Sequence, residues 1–145
     1  MVKDNINLIS QLDESISINF TTNNDNLTLN SDQEQLSRVF FNMIKNSIES
    51  IQEKRVNNIG FKGKIDITLN DNVSNVDFII NDNGLGFGIF NDNMKNLLNP
   101  YFTTKKKGTG LGLAIVNKII NDHNGTIEFI KIEDGAKIQI IFIKQ

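Results

Sequence analysis

Val76, Phe78 and Ile80 fall at every second position up to Asp82, with Asp77 and Asn81 among the residues between, and the same period of two runs from Lys64 to Asn70, from Thr126 to Ile132 and from Ala136 to Ile143. Such alternation predicts half-buried strands. The turn Asp71 to Asn75 joins the first two into an antiparallel pair, and Glu133-Asp134-Gly135 joins the last two. Ile16 to Thr22 (ISINFTT) adds a strand of the same kind, and Leu27 to Asn30 (LTLN) a short one. A helical period governs the stretch from Ser31 to Lys54. There Leu36, Phe40, Met43, Ile44, Ser47 and Ile51 form one core-facing stripe. Ser31, with Glu34 three residues on, has the spacing of a capping box and is the expected N-cap. Shorter helices are predicted from about Asp4 to Glu14, with Ile6, Ile9 and Leu12 on one side, and from Leu111 to Asp122, where His123-Asn124-Gly125 ends the helix. One helical turn is expected near Asn93 to Leu98. The order of elements predicts an α+β fold: a two-layer sandwich with helices on one face of a mixed, mostly antiparallel sheet.

Composition narrows the classes. The 145 residues, 39% of them hydrophobic, suffice for one compact domain spanning 1–145. The longest apolar runs, such as Ile140 to Ile143, fall far short of the ~20 residues of a membrane helix. The first ten residues lack the apolar centre of a secretory signal, and the chain has no cysteine, which removes disulfides and thiolate metal sites. A cytoplasmic setting fits, with no membrane contact by this chain and a monomeric state expected. A net charge of −2 gives no global basic field for nucleic acid.

Positive charge is instead local. Lys105, Lys106 and Lys107 run into Gly108, Gly110 and Gly112 and then into the helix from Leu111. Taken alone, a lysine run is more often a solvated loop. Here, however, unobstructed backbone N–H groups, a helix N-terminus and three ammonium groups converge, which suits a polyphosphate. The spacing is neither that of a P-loop, since Leu113-Ala114 follows the last glycine, nor that of a dinucleotide fingerprint. A second glycine cluster, Gly84, Gly86 and Gly88, follows Asp82 at a strand end. It reads either as a simple turn or as a carboxylate beside approachable backbone. Such a carboxylate can accept from the exocyclic amine of adenine. Guanine presents a carbonyl there, and the unpaired carboxylate costs roughly 1–3 kcal/mol or more. Arg38, Asn42 and Asn46 lie at i, i+4 and i+8 on the flank of the long helix. They are either a solvated face or, for the amides, hard oxygen donors suited to Mg²⁺. His123, the single histidine, reads as a helix-end residue; no Ser-His-Asp set and no His/Cys metal spacing can be assembled.

Read in order, FFNMIKNSIES, DNGLGFG, PYFTT and KGTGLGLAIV closely resemble the N, G1, F and G2 boxes of the sensor histidine kinase ATP-binding domain, and most of all the nitrogen-regulation type. That domain shares its superfamily with gyrase, certain chaperones and mismatch-repair ATPases. The separations, 36 positions from Asn46 to Asp82 and 26 from Asp82 to Gly108, are ordinary for that family, and the resemblance covers nearly the whole chain. It implies ATP and Mg²⁺ as cofactors. Asn46 would hold Mg²⁺ with Asn42 in support, and Asp82 would take the adenine amine. Gly84 and Gly86 would let base and ribose approach the backbone, and Gly108, Thr109, Gly110, Leu111 and Gly112 would meet the phosphates. Residues 89–107 would form a lid over ATP, with Phe102 as its apolar anchor and Thr103, Thr104, Lys105, Lys106 and Lys107 as further contacts. Many family members carry a lysine where this chain has Glu49, so the lid lysines or Mg²⁺ would supply that charge.

The resemblance also separates kinases from hydrolases. Gyrase-like members carry a glutamate at the place of Asn42 to activate water, and an amide cannot act as that base. The γ-phosphoryl group is then expected to pass to a histidine on a separate dimerisation domain, and from there indirectly to a response regulator. No such histidine precedes Asn42, so this chain is expected to be inactive on its own. Two other readings of the fold are a non-catalytic ATP-sensing module, for which Glu49 speaks, and a serine kinase of the anti-sigma type, against which Asn42 speaks.

Overall fold

The computed structural model describes residues 2–27, 32–87, 98 and 112–144. The elements are α1 (Val2–Ile9) with a 3-10 turn at Ser10–Leu12, β1 (Ser17–Thr22), α2 (Gln33–Val56), β2 (Lys64–Asp71), β3 (Asn75–Asp82), α3 (Gly112–Asp122), β4 (Gly125–Lys131) and β5 (Ala136–Ile143). The five strands form one sheet in the order β1-β2-β3-β5-β4. β1 runs parallel to β2 at one edge, and the other three pairings are antiparallel. This is the mixed, mostly antiparallel sheet expected from the sequence. The parallel edge follows because α2 returns the chain from the end of β1 to the start of β2.

Alternation fixes the inner face. Val76, Phe78, Ile80 and Asp82 of β3 are buried, beside Ile65 and Ile67 of β2 and Ala136, Ile138, Ile140 and Phe142 of β5. A slip of one residue would turn all of them outward, so the register is strongly specified. α2, 24 residues and about 36 Å long, lays its stripe over this face: Leu36, Phe40, Met43, Ile44, Ser47 and Ile51, joined by Val39 and Ile48, are buried. Phe40 meets Phe78 across the layers with ring centroids 4.6 Å apart. Ile9 of α1 and Val116, Ile119 and Ile120 of α3 complete the same core.

Two boundaries differ from the sequence reading, and α3 ends at Asp122 as expected. The cap of α2 is Asp32, whose side chain accepts from the Gln35 N–H at 3.2 Å. The structure places the Ser-x-x-Glu signal one residue away from the cap, because Asp is as good an N-cap as Ser. The first helix is regular only to Ile9 and tightens into the 3-10 turn at Ser10, where the Ser10 hydroxyl donates back to the Asn7 carbonyl. At the end of α3 the left-handed residue is Asn124, with φ of 58°, while Gly125 already opens β4. Most of the short strand expected over Leu27 to Asn30 and of the helical turn near Asn93 to Leu98 lies outside the described residues.

His123 does more than end a helix. Its Nδ1 lies 2.7 Å from the Ile119 carbonyl, and its Nε2 accepts from the Asp32 N–H at 3.2 Å. One neutral tautomer, protonated on Nδ1, satisfies both and ties the end of α3 to the start of α2.

Candidate functional site

Asp82 occupies the next inward position after Val76, Phe78 and Ile80, so the alternation that builds the core also carries a carboxylate into it. It is 6% exposed. The Gly84 N–H donates to Oδ1 at 2.9 Å, and the Ser47 hydroxyl and the Ala136 N–H lie near enough to favour the charged form of the carboxylate. Burial is the largest influence and pushes the carboxyl above the usual carboxylate range, against those three groups and the nearby charge of Lys54. A carboxylate has about four acceptor positions. The Gly84 N–H fills one of them.

The turn after Asp82 is laced to α2. The Leu85 N–H donates to Ser50 Oγ at 2.9 Å, and Lys54 Nζ donates to the carbonyls of Asn83 at 3.0 Å and Gly84 at 3.4 Å. Asn83 turns its amide the other way, donating to the Lys62 carbonyl and accepting from the Lys64 N–H. Ser47, Ser50 and Lys54 are spaced i, i+3 and i+7, one face of a helix, so three successive turns of α2 each hold one part of the segment 82–85.

The glycines here answer to protein neighbours. A Cβ on Gly84 would stand 2.4 Å from Ser50 Oγ and 2.9 Å from the Ser50 backbone. Gly86 has φ of +78°, and a Cβ there would stand 2.8 Å from the carbonyl oxygen of Gly135. Gly135 itself, in the β4–β5 turn with φ of +120°, sits so close that a Cβ would overlap the Asp82 carbonyl oxygen at 1.8 Å. Gly84 and Gly86 are thus closely approached by α2 and by the β4–β5 turn. Phe87 then leaves the turn edge-on to Phe129 of β4, with ring centroids 5.7 Å apart.

Asn42 and Asn46 are half-buried on the polar flank of α2. Asn46 directly precedes Ser47, the residue that touches Asp82, and Asn42 lies one turn further toward the helix N-terminus. Asn42 also borders a cleft of about 410 Å³ between α1 and α2, lined besides by Asn5, Glu34, Ser37, Arg38 and Phe41. Glu49 lies 3.8 Å from Lys45 as an i, i+4 pair. Gly112 opens α3, and among the described residues no atom lies within 4 Å of the place a Cβ would take. Among the described residues no group of three His, Cys, Asp or Glu could hold a metal ion. Phe102, Thr103, Thr104, Lys105, Lys106, Lys107, Gly108, Thr109, Gly110 and Leu111 lie outside the described residues, as does nearly all of the expected lid at 89–107.

Of the residues singled out in the sequence, the structure brings Gly84 and Gly86 into the turn after Asp82 and sets Asn42 and Asn46 on the flank of α2; Ser50, Lys54 and Gly135, which contact that turn, carried no signal in the sequence. One signal was available: Ser47 lies within an apolar stripe, and a buried hydroxyl requires a partner. Nothing local marks Gly135, since its partner stands some fifty positions earlier.

Comparison with known proteins supplies the family. Residues 31–145 match the family model described as histidine kinase-, DNA gyrase B- and HSP90-like ATPase. The sensor histidine kinase ZraS of Escherichia coli O157:H7 is 33% identical over 143 residues, covering 97% of this chain but only 29% of that protein. This chain therefore spans less than a third of that relative. Among solved structures, the catalytic domain of the histidine kinase ThkA, in a nucleotide-free form, superposes with a TM-score of 0.83 at 29% identity, covering 99% of this chain and 90% of that one. The complex of ThkA with the response regulator protein TrrA gives a TM-score of 0.75 at 26% identity, covering 99% of this chain and 39% of that one. No helix among the described residues is long and apolar enough to cross a membrane. With its family model matched from residue 31 to the last, and with the fold and the Asp82 turn in place, the chain belongs to the histidine kinase-, DNA gyrase B- and HSP90-like ATPase family.

Proposed function

We propose that this chain binds Mg-ATP between α2 and the end of β3 and donates the γ-phosphoryl group to a histidine on a separate dimerisation domain of a two-component sensor kinase. The observation that carries the reading is Asp82: a carboxylate 6% exposed at the end of a core strand, with the Gly84 N–H donating to Oδ1 at 2.9 Å and further acceptor positions on its oxygens. Adenine supplies a donor through its exocyclic amine, whereas guanine would set a carbonyl against the carboxylate.

The order of residues along α2 gives the nucleotide a direction. Ser50 and Ser47 lie at the base end, followed by Asn46 and then Asn42 toward the helix N-terminus. In this reading Asn46 offers its side-chain oxygen to Mg²⁺, which when bound neutralises charge on the phosphates, and Asn42 bonds to metal waters or to phosphate. In the same reading Gly112, the first residue of α3, offers its backbone N–H to phosphate. An amide at position 42 cannot take a proton from water, so the chain positions the phosphoryl group for transfer and leaves hydrolysis unassisted. A relative that is a sensor histidine kinase, and a similar catalytic domain solved with a response regulator, support the same assignment.

The test is phosphotransfer in trans. The chain, the cognate two-helix phosphoacceptor domain, Mg²⁺ and γ-labelled ATP are mixed, and acid-labile, base-stable label on the helices is expected. Asn46→Ala should abolish it. Folded chain that binds nucleotide yet labels no histidine would overturn the kinase reading, and acid-stable label would point to a hydroxyl acceptor.

A further inference from the structure

The turn that follows Asp82 is fixed by a cation. Lys54 Nζ reaches the carbonyl oxygens of Asn83 at 3.0 Å and of Gly84 at 3.4 Å, and sits 4.6 Å from the centroid of the Phe61 ring. Its ammonium thus has two acceptors and an aromatic face, which together hold it in one place. One turn earlier on α2, Ser50 Oγ accepts from the Leu85 N–H at 2.9 Å. Consecutive backbone groups at 83, 84 and 85 are therefore tied to α2, and α2 is the helix that carries Asn46 and Asn42.

We propose that Lys54, assisted by Ser50, is a positioning residue that sets the adenine-over-guanine selectivity of the site by locking the backbone of residues 83–85 and, through it, the orientation of the Asp82 carboxylate. This inference rests on the nucleotide reading given above. Discrimination between the two bases depends on the carboxylate being unable to move: facing adenine it accepts a hydrogen bond, and facing guanine it stands against a carbonyl with no proton between them. Asp82 Oδ1 is oriented by the Gly84 N–H, which belongs to the very peptide segment that Lys54 and Ser50 hold. If that segment loosens, the carboxylate can swing or admit a water, the clash with guanine is relieved, and the bond to adenine weakens. The Lys54 ammonium also sits near enough to Asp82 to favour its charged, acceptor-only form against the effect of burial. Lys54 touches no part of a bound base in this scheme; it acts through Asp82.

The experiment measures affinities for Mg-ADP and Mg-GDP by calorimetry in the wild-type chain, Lys54→Met and Lys54→Arg. Met keeps the length of the side chain and removes the donors, while Arg can still donate to both carbonyls. The ADP-over-GDP ratio is expected to fall by at least about tenfold in Lys54→Met, the size of one lost charge-assisted bond, and to return in Lys54→Arg. Thermal midpoints recorded on the same samples separate this from general loosening. Should Lys54→Met not fold, Ser50→Ala is measured in its place, with a smaller fall in the ratio expected. A ratio equal to wild type in the folded variant overturns the proposal, including the case where both nucleotides weaken in proportion. A wild-type chain that binds no Mg-ADP overturns the nucleotide reading itself, and this inference with it.

Discussion

Two carboxylates flank the C-terminal half of α2, and they are treated in opposite ways. Asp13, in the turn before β1, accepts from the Ser15 hydroxyl and N–H, from Gln52 at 3.1 Å and from Arg55 at 2.5 Å. The Ser15 hydroxyl, together with Arg55 and Gln52, holds it well below the usual carboxylate range. Asp82, on the other side of the same helix, is buried among apolar side chains with no full counter-charge in contact, and burial holds it above that range. The first arrangement is what a chain does with a charge whose task is to fasten α1 and β1 to α2. The second leaves a charge short of partners inside a core, a state that costs stability and makes sense where a ligand supplies the missing donor.

The comparison can be broken most severely at Gly135. Gly135→Ala would drive a methyl into the Asp82 carbonyl at 1.8 Å from a left-handed backbone. It should cost about 3 kcal/mol or more of stability and take nucleotide affinity with it, read by denaturant unfolding and by calorimetry. Asp82→Asn should separate the two properties. Adenine-nucleotide affinity should fall on the order of a hundredfold, while stability at neutral pH stays within about 1 kcal/mol of wild type or rises, because a buried charge is removed. A variant that lost stability and kept affinity would reverse the assignment.

Arg55→Ala is the mirror test. It should cost about 1–2 kcal/mol, between the values for an exposed and a buried pair, and leave nucleotide affinity unchanged. The pH dependence carries the same contrast with opposite signs. Asp13, with its folded pKa depressed, contributes stability that is fully present above its unfolded value near 4 and is lost as pH falls below it. The penalty of Asp13→Asn should therefore shrink below about pH 4. Asp82, with its folded pKa raised, binds its proton more tightly in the folded state, so its contribution declines as pH rises above the ordinary carboxylate value. Asp82→Asn should gain on wild type over that same rise. The smallest expected effect is Ser47→Ala, which removes a hydroxyl that favours the charged form of Asp82 and should lower affinity by roughly tenfold or less.

The layout of the sheet was legible because its periodicity is strong: Val76, Phe78 and Ile80 point one way, and Asp82 continues their count. The stripe of α2 was legible for the same reason, down to Ser47. The cap was misplaced by one residue because Ser31 and Asp32 are equally competent, and only the backbone of Asp32 decides. Asn124 rather than Gly125 takes the left-handed turn because Gly125 is needed where a Cβ would strike Ile120 and Phe142 at 2.8 Å. The residues that hold the turn after Asp82, Ser50, Lys54 and Gly135, were not legible. Each acts through a contact made across the fold, and a lysine on a helix flank or a glycine in a hairpin has an ordinary local explanation. The reciprocal placement of His123 between two helix ends was hidden in the same way.

The most direct measurement is a calorimetric titration of the folded wild-type chain with adenosine and guanosine nucleotides in the presence of Mg²⁺. Saturable heat with the adenosine nucleotide, and affinity about a hundredfold weaker or less with the guanosine one, is the expected result. No heat with either, or equal affinity for both, would contradict the claim that Asp82 grips an adenine.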